Sequence, residues 1–215
     1  MRIAVYDMDR TITRRPSWMP WLMFWVRREA PWRLLLLPAL GVLLALYPLL
    51  GRQRLKEAMQ WLLMGPAVPL DRVAARADEF AGRFGAAAEL PRALARMAAD
   101  RAEGFTIVVA TASCRFYAAA LARRWGADAL IATENEEDRG RLRFRIAGAN
   151  CYGEEKRRRV EAWIAGRQVE RFRFYSDHVS DLPSFLLAHE PVAANPSPAL
   201  AREARARGWP VFNWF

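Results

Sequence analysis

A short apolar run at the start of the chain, Ile3-Ala4-Val5-Tyr6, ends abruptly in Asp7-Met8-Asp9-Arg10-Thr11. The run reads as a buried β-strand, and its end carries two carboxylates spaced i, i+2. Charges at such a place are costly unless a metal ion or a reaction employs them. An acidic surface turn is the simpler alternative, and five residues alone do not decide between them.

The rest of the chain supplies the layers that such a strand needs. Phe105 to Ala110 is a β-branched run that reads as a second buried strand, followed by a helix over Arg115 to Trp125 and a strand over Ala129 to Thr133. Leu142, Phe144 and Ile146 alternate with arginines, as in a half-exposed strand. Glu154 to Ala165 reads as helix, Phe172 to Tyr175 as strand and Leu182 to Ala188 as helix. Two last strands, Pro191 to Ala194 and Pro210 to Phe212, flank a helix over Pro198 to Arg207. Strand alternating with helix implies an α/β fold, a Rossmann-like, mostly parallel sheet with helices on both faces.

Residues 14–92 break this alternation and read as helical throughout. Arg52 to Met64 and Asp71 to Phe84 have helical patterning, with Asp71 as an N-cap, and Pro91 to Ala102 forms another helix closed by Gly104. The expected organisation is a catalytic core of residues 1–13 and 93–215 with an all-helical cap over 14–92.

Composition narrows the setting. With 53% hydrophobic and 26% charged residues in 215, the chain suits a globular protein with a sizeable core. Cys114 and Cys151 are too few for a disulfide framework, and no secretion signal follows the first strand, so the expected location is the cytoplasm. The formal charge of +10 calls for an anionic partner. Between Arg14 and Lys56 eight cations face one carboxylate, Glu29, beside the most apolar stretch of the chain. That clustering favours an anionic membrane surface over nucleic acid.

Reactive polar residues stand at four places where strands end or helices begin: Asp7 and Asp9, Thr111 and Ser113, Lys156, and Asp177 with Asp181. This ordered set resembles the haloacid dehalogenase superfamily of phosphatases, whose pattern is Asp-x-Asp-x-Thr, a strand ending in Ser or Thr, a Lys, then Asp-x-x-x-Asp. Cys151-x-Gly153-x-x-Lys156, Tyr175-Ser176-Asp177, Asn195-Pro196 and Gly208-Trp209-Pro210 resemble its phosphoserine-phosphatase-like branch. The resemblance implies that Asp7 is the nucleophile, forming an aspartyl phosphate, and that Asp9 is the general acid and base. It implies that Thr111 and Lys156 bind the phosphoryl group, with Ser113 and Arg10 as further substrate contacts. It also implies Mg²⁺ held by Asp7, Asp9 (through its carbonyl) and Asp177, with Asp181 supporting the metal shell or orienting Lys156. Arg10 departs from the glycine or asparagine commoner at its place, and His178 from a serine.

Simpler roles remain open at this stage. Thr111 could cap the following helix, Ser113 could be a cap or backbone partner, and both cysteines could be packing residues. His178 and His189 are too scattered for a zinc site.

Leu34 to Leu50 is a run of 17 uncharged residues, at the lower edge for a membrane span. A single crossing would put Asp7 and Lys156 on opposite sides of the bilayer. A shallow helical hairpin in the interface is expected instead, with Trp18, Trp21, Trp25 and Trp32 at headgroup level; the alternative is that the stretch forms the cap's own core. Arginine-rich flanks and a Leu/Pro-rich cap helix resemble the bacterial phosphatidylglycerophosphatase C family. That resemblance implies a lipid phosphate substrate at the cytoplasmic face of the inner membrane. The rival expectations are a soluble small-metabolite phosphatase, phosphoserine being the first substrate to consider, and a non-catalytic membrane- or phosphoprotein-binding regulator.

Overall fold

The computed structural model describes residues 1–215. Strand β1 (Arg2–Tyr6) leads into helices α1 (Trp18–Glu29), α2 (Leu37–Ala45) and α3 (Tyr47–Met64), with a 3₁₀ segment at Pro31–Leu36. A short strand β2 (Ala67–Pro69) precedes α4 (Leu70–Ala88) and α5 (Pro91–Ala102). Then come β3 (Phe105–Cys114), α6 (Arg115–Arg124), β4 (Ala129–Thr133), β5 (Asn135–Asp138), β6 (Arg141–Ile146) and α7 (Glu154–Ile164). The chain closes with β7 (Arg171–Ser176), α8 (Leu182–Phe185), β8 (Glu190–Ala194), α9 (Pro198–Arg207) and β9 (Val211–Phe212).

Six strands form one sheet in the order β4-β3-β1-β7-β8-β9, with every pairing parallel. The α/β sheet with helices on both faces is therefore as the sequence implied. Because side chains alternate along a strand, β1 serves two cores. Ile3 and Val5 join Val160, Phe185 and Leu200 on one face, while Ala4 and Tyr6 join Met97, Tyr117 and the inserted helices on the other.

Three local expectations need correction, and one alternative falls away. Residues 14–92 are not helical throughout: β2 pairs antiparallel with β6, which pairs with β5 in a second, three-stranded sheet. Strand β5, Asn-Glu-Glu-Asp, has no apolar residue to announce it. The turn reveals it instead, since Arg139 (φ 48°) and Gly140 (φ 73°) supply the two positive φ values of a tight two-residue hairpin. Asp71 is not the cap of α4, which begins at Leu70 without a side-chain cap; the carboxylate sits in the first turn, where it favours the helix dipole.

The tryptophans are the third correction. Trp21 and Trp25 are fully buried, and Trp18 is partly so; none of the three stands at a surface. The Trp21 ring stacks on Tyr117 of α6 at 5.2 Å and meets Phe80 of α4 edge-on at 5.4 Å. They are the core that binds α1 to α4 and α6, an arrangement that favours aromatic pairs beyond their buried area. Trp32, in contrast, is 60% exposed.

The alternative that falls away is a buried cap core over Leu34 to Leu50. Only Leu40 is buried in this stretch; Leu35 and Leu49 are about 80% exposed, and Val42, Leu44, Leu46 and Tyr47 also face outward. Prolines 38 and 48 and a break at Gly51 (φ 69°) divide it into short pieces, so α2 and the start of α3 make a helical hairpin. No helix is long and apolar enough to cross a membrane. Trp21→Ala should lower the unfolding free energy by about 3–5 kcal/mol through the cavity it leaves, seen as a reduced urea midpoint. A loss below 1 kcal/mol would contradict the role given to Trp21 here.

Candidate active site

The carboxyl ends of β1, β3 and β7 and the start of α7 surround a cavity of about 370 Å³. Its walls include Asp7, Asp9, Arg10, Thr111, Lys156, Asp177 and Asp181, so one pocket gathers all four motifs. Parallel strands place these residues together, because loops leaving their carboxyl ends open onto the same edge of the sheet.

Lys156 is the centre of the charge arrangement. It is 2% exposed, and its Nζ donates to Asp7 Oδ1 at 2.7 Å and to Asp181 Oδ2 at 2.6 Å. Asp181 thus holds Lys156 through one of its oxygens. Asp181 Oδ2 also accepts from Ser176 Oγ at 2.7 Å. Burial works against the Lys156 charge, yet Asp181 and Asp7 outweigh it and hold the ammonium above the usual lysine range. Burial pushes the Asp7 carboxyl up to about 8; Asp181 and Asp177 add to the rise and Lys156 opposes it. Burial likewise pushes Asp177 up to about 7, with Asp181 reinforcing the effect and Lys156 and Arg10 countering it.

Asp9 lies on the other side of the cavity. Its Oδ1 accepts from the Ser17 backbone N–H at 2.9 Å and its Oδ2 from Ser113 Oγ at 3.0 Å. Burial raises its pKa, and these hydrogen bonds oppose the rise. Ser113 is thus a partner of Asp9 and contacts a neighbouring chamber rather than the cavity itself. Thr111 does not cap α6; its Oγ1 accepts from the Ser113 N–H at 3.0 Å, which leaves its hydroxyl proton available to the cavity.

Arg10 has φ 65°, the left-handed conformation that glycine and asparagine adopt at least cost. That geometry accounts for the residue types commoner at its place. Asn195 Nδ2 fixes the turn by donating to the Arg10 carbonyl at 2.8 Å, and the exposed Arg10 lines the cavity. His178 hydrogen-bonds Ser180 within its own turn.

Several site residues escaped the sequence reading. Ser17 supports Asp9 from the first turn of the insertion, and Ser176 supports Asp181. Arg52 reaches the cavity with its guanidinium 3.9 Å from the centre of the Tyr152 ring. Nothing in the spacing distinguishes Arg52 from the other cations of the insertion. Only the fold of α3 over the site does so.

The donor set suits a hard divalent cation. Asp7 and Asp177 are buried carboxylates with pKa values raised chiefly by that burial, and Asp181 Oδ1 is buried without a hydrogen-bond partner. No three acidic, imidazole or thiol side chains close on one point. A cation here would therefore take two carboxylates, a backbone carbonyl and water, and Mg²⁺ characteristically retains water in its shell.

Comparison with known proteins matches this geometry. A family model for haloacid dehalogenase-like hydrolases matches residues 4–185. A histidinol-phosphatase of Neisseria meningitidis is 33% identical over 115 residues, 51% of this chain and 51% of that protein, so the chain spans about half the length of this curated relative. The CicA protein of Caulobacter vibrioides is 31% identical over 190 residues, 87% of this chain and 83% of CicA. A crystal structure of a Bordetella pertussis protein of unknown function has a TM-score of 0.88 and 31% identity, covering 100% of this chain and 99% of that one. An apo phosphoserine phosphatase shares the fold at TM-score 0.64 and 15% identity, covering 94% and 90%. The chain belongs to the haloacid dehalogenase-like hydrolase family.

Proposed function

We propose that the protein is a Mg²⁺-dependent phosphomonoesterase whose substrate is an anionic lipid phosphate, phosphatidylglycerophosphate or a close relative. The catalytic part of the reading rests on the cavity that unites Asp7, Asp9, Thr111, Lys156 and Asp177. Asp7, with one oxygen tied to Lys156, attacks phosphorus with the other. The P–O bond to the leaving alcohol breaks as Asp9 gives that oxygen a proton. Asp9 then takes a proton from water as water attacks the aspartyl phosphate, and phosphate leaves with Asp7 regenerated. Thr111 donates to a phosphoryl oxygen, and the Lys156 charge offsets the negative charge that builds there. Arg10 and Arg52 attract the anion from the rim. Asp7, the Asp9 carbonyl and Asp177 would hold Mg²⁺, which when bound supplies charge neutralisation at the phosphoryl group.

The observation that carries the substrate class is the exposed apolar hairpin, 31–50, beside the active site. Exposed apolar patches rimmed by charge mark interaction surfaces, and Leu/Trp faces with arginine flanks suit an anionic lipid interface. Tyr47 of this hairpin also lines a second chamber, about 310 Å³, which shares Asp9, Pro16, Arg52 and Ala112 with the catalytic cavity. Trp18, Leu55 and Met59 give that chamber apolar walls. In this reading residues 14–92 act as the cap, with the hairpin at the cytoplasmic face of the inner membrane. A substrate amine would want a carboxylate partner, yet Glu29 pairs with Arg72 and Arg76, and Glu57 accepts from the Ile146 N–H. The relatives' names, histidinol-phosphatase and phosphoserine phosphatase, favour a small polar monoester as the second reading.

Phosphate release from phosphatidylglycerophosphate in mixed micelles, compared with phosphoserine and histidinol phosphate, separates the two. Preference for the lipid, abolished in Asp7→Asn, is expected; preference for either soluble ester would overturn the lipid assignment. Leu35→Lys with Leu49→Lys should reduce sedimentation with anionic vesicles at least several-fold while leaving hydrolysis of p-nitrophenyl phosphate intact. Mg²⁺ at a hundredfold excess over its Kd stabilises a folded site by about 2.7 kcal/mol, or a rise of about 5–10 °C in Tm for a domain of this size. Calorimetry should show that rise in the wild type and lose it in Asp177→Asn; an unchanged wild-type Tm would count against a Mg²⁺ site. Lys156→Met should cost about 3–5 kcal/mol of stability in the absence of Mg²⁺, because it strands Asp7 and Asp181 without their cation.

A further inference from the structure

Lys56 belongs to none of the motifs, yet it lines the chamber that adjoins the catalytic cavity at Asp9. It projects from α3 into the chamber that opens beside Asp9. Its Nζ donates to the Ala112 carbonyl at 2.6 Å and to Asn150 Oδ1 at 2.7 Å. Both acceptors are themselves fixed. Ala112 lies between Thr111 and Ser113, and Asn150 Oδ1 also accepts from Thr133 Oγ1 at 2.9 Å. The ammonium is thus held in position by two neutral oxygens, and it has a third proton to give.

The chamber offers that proton little. The Trp18 ring is 5.7 Å away, Tyr47, Leu55 and Met59 add further largely apolar wall, and Ser113 is engaged with Asp9. Asp9 is the acid of this chamber, and its two oxygens are occupied by Ser17 and Ser113. Arg52 adds a second positive charge to the same wall.

We infer that Lys56 is the specificity-determining residue for the leaving group: it selects esters whose alcohol carries an oxygen acceptor close to the phosphoester and rejects those that carry an amine. The inference rests on the phosphomonoesterase reading and is independent of any membrane. A glycerol-type alcohol supplies such an acceptor, a plain alkyl chain supplies none, and an ammonium group meets like charge.

The test uses three soluble esters of similar size: glycerol phosphate, n-propyl phosphate and phosphoethanolamine. Wild type should prefer glycerol phosphate to both others in kcat/KM. Lys56→Met should lower the ratio of glycerol phosphate to propyl phosphate about tenfold, chiefly through KM, the scale of one charge-assisted hydrogen bond. Lys56→Arg, which keeps the charge, should retain most of the preference and guards against a variant that merely folds poorly. An unchanged ratio in Lys56→Met, with all three rates falling together, would overturn the inference and leave Lys56 as a tie between cap and core. Calorimetric binding of the three esters to Asp7→Asn gives the same ratio without turnover. Discrimination there, with no hydrolysis by wild type, would uphold the selectivity while refuting the phosphatase reading; equal binding would refute the selectivity itself.

Discussion

One buried lysine makes the arrangement of carboxylates tolerable. Asp7, Asp177 and Asp181 sit within a cavity at the end of a parallel sheet, where burial and neighbouring carboxylates make Asp7 and Asp177 resist ionisation. Lys156 bridges Asp7 and Asp181 with two short hydrogen bonds, and so fixes one Asp7 oxygen and the start of α7 together. A buried pair of this kind adds little net stability by itself. Its value is geometric, since it holds Asp7 in place at the cavity wall. Burial still raises Asp7 and Asp177, and a divalent cation beside them would favour their ionised forms.

The inserted segment is joined to this centre by two different kinds of contact. On one side, Trp21, Phe80 and Tyr117 form an aromatic core that fixes α1 and α4 on α6. On the other, α3 presents Gln53, Lys56, Glu57 and Gln60, spaced along one helical face, to backbone groups of residues 143–150 and to Asn150. The pairing of β2 with β6 reinforces this polar seam. With the cap held at both places, the hairpin 31–50 is the part with the fewest buried side chains. Access to the leaving-group chamber past Tyr47 is therefore easier to reconcile with the contacts than a swing of the whole cap.

The core of this fold was legible because its strands are buried on both faces and its helices begin and end at strong signals. Pro198 and Gly208 bound α9, and the apolar run at Ile3 defines β1. The candidate site positions that share one cavity were legible for the same reason, each lying at a strand end or helix start that the pattern had already located. Other features depend on tertiary contacts with no local signature. The acidic strand β5 exists because β6 pairs with it, and Asp71 yields the cap position because Pro69 and β2 fix the entry to α4. The tryptophans were misjudged because an aromatic residue beside arginines suits either a lipid interface or a core. Periodicity along α1 would have helped, since Trp21, Leu22, Trp25 and Val26 recur at i, i+1, i+4 and i+5 and share its inner face.

Burial of those tryptophans sharpens the meaning of the exposed hairpin. Had the whole segment been apolar only to fill the cap, Leu35, Val42 and Leu49 would have been packed with Trp21 and Phe80, where aromatic surface was available to cover them. They lie outside that core, while a complete core forms without them. Exposed leucines lose the roughly 25 cal/mol per Å² that burial would return, so leaving several of them uncovered makes physical sense only if something else covers them. The cations nearby narrow the choice. Arg33 already spends its guanidinium on the Trp61 and Leu62 carbonyls, whereas Arg52 faces the mouth of the catalytic cavity. Apolar contact at the hairpin and positive charge at the cavity thus lie in sequence along the path to Asp7, which is the order in which an amphiphilic phosphate would present its chain and its headgroup.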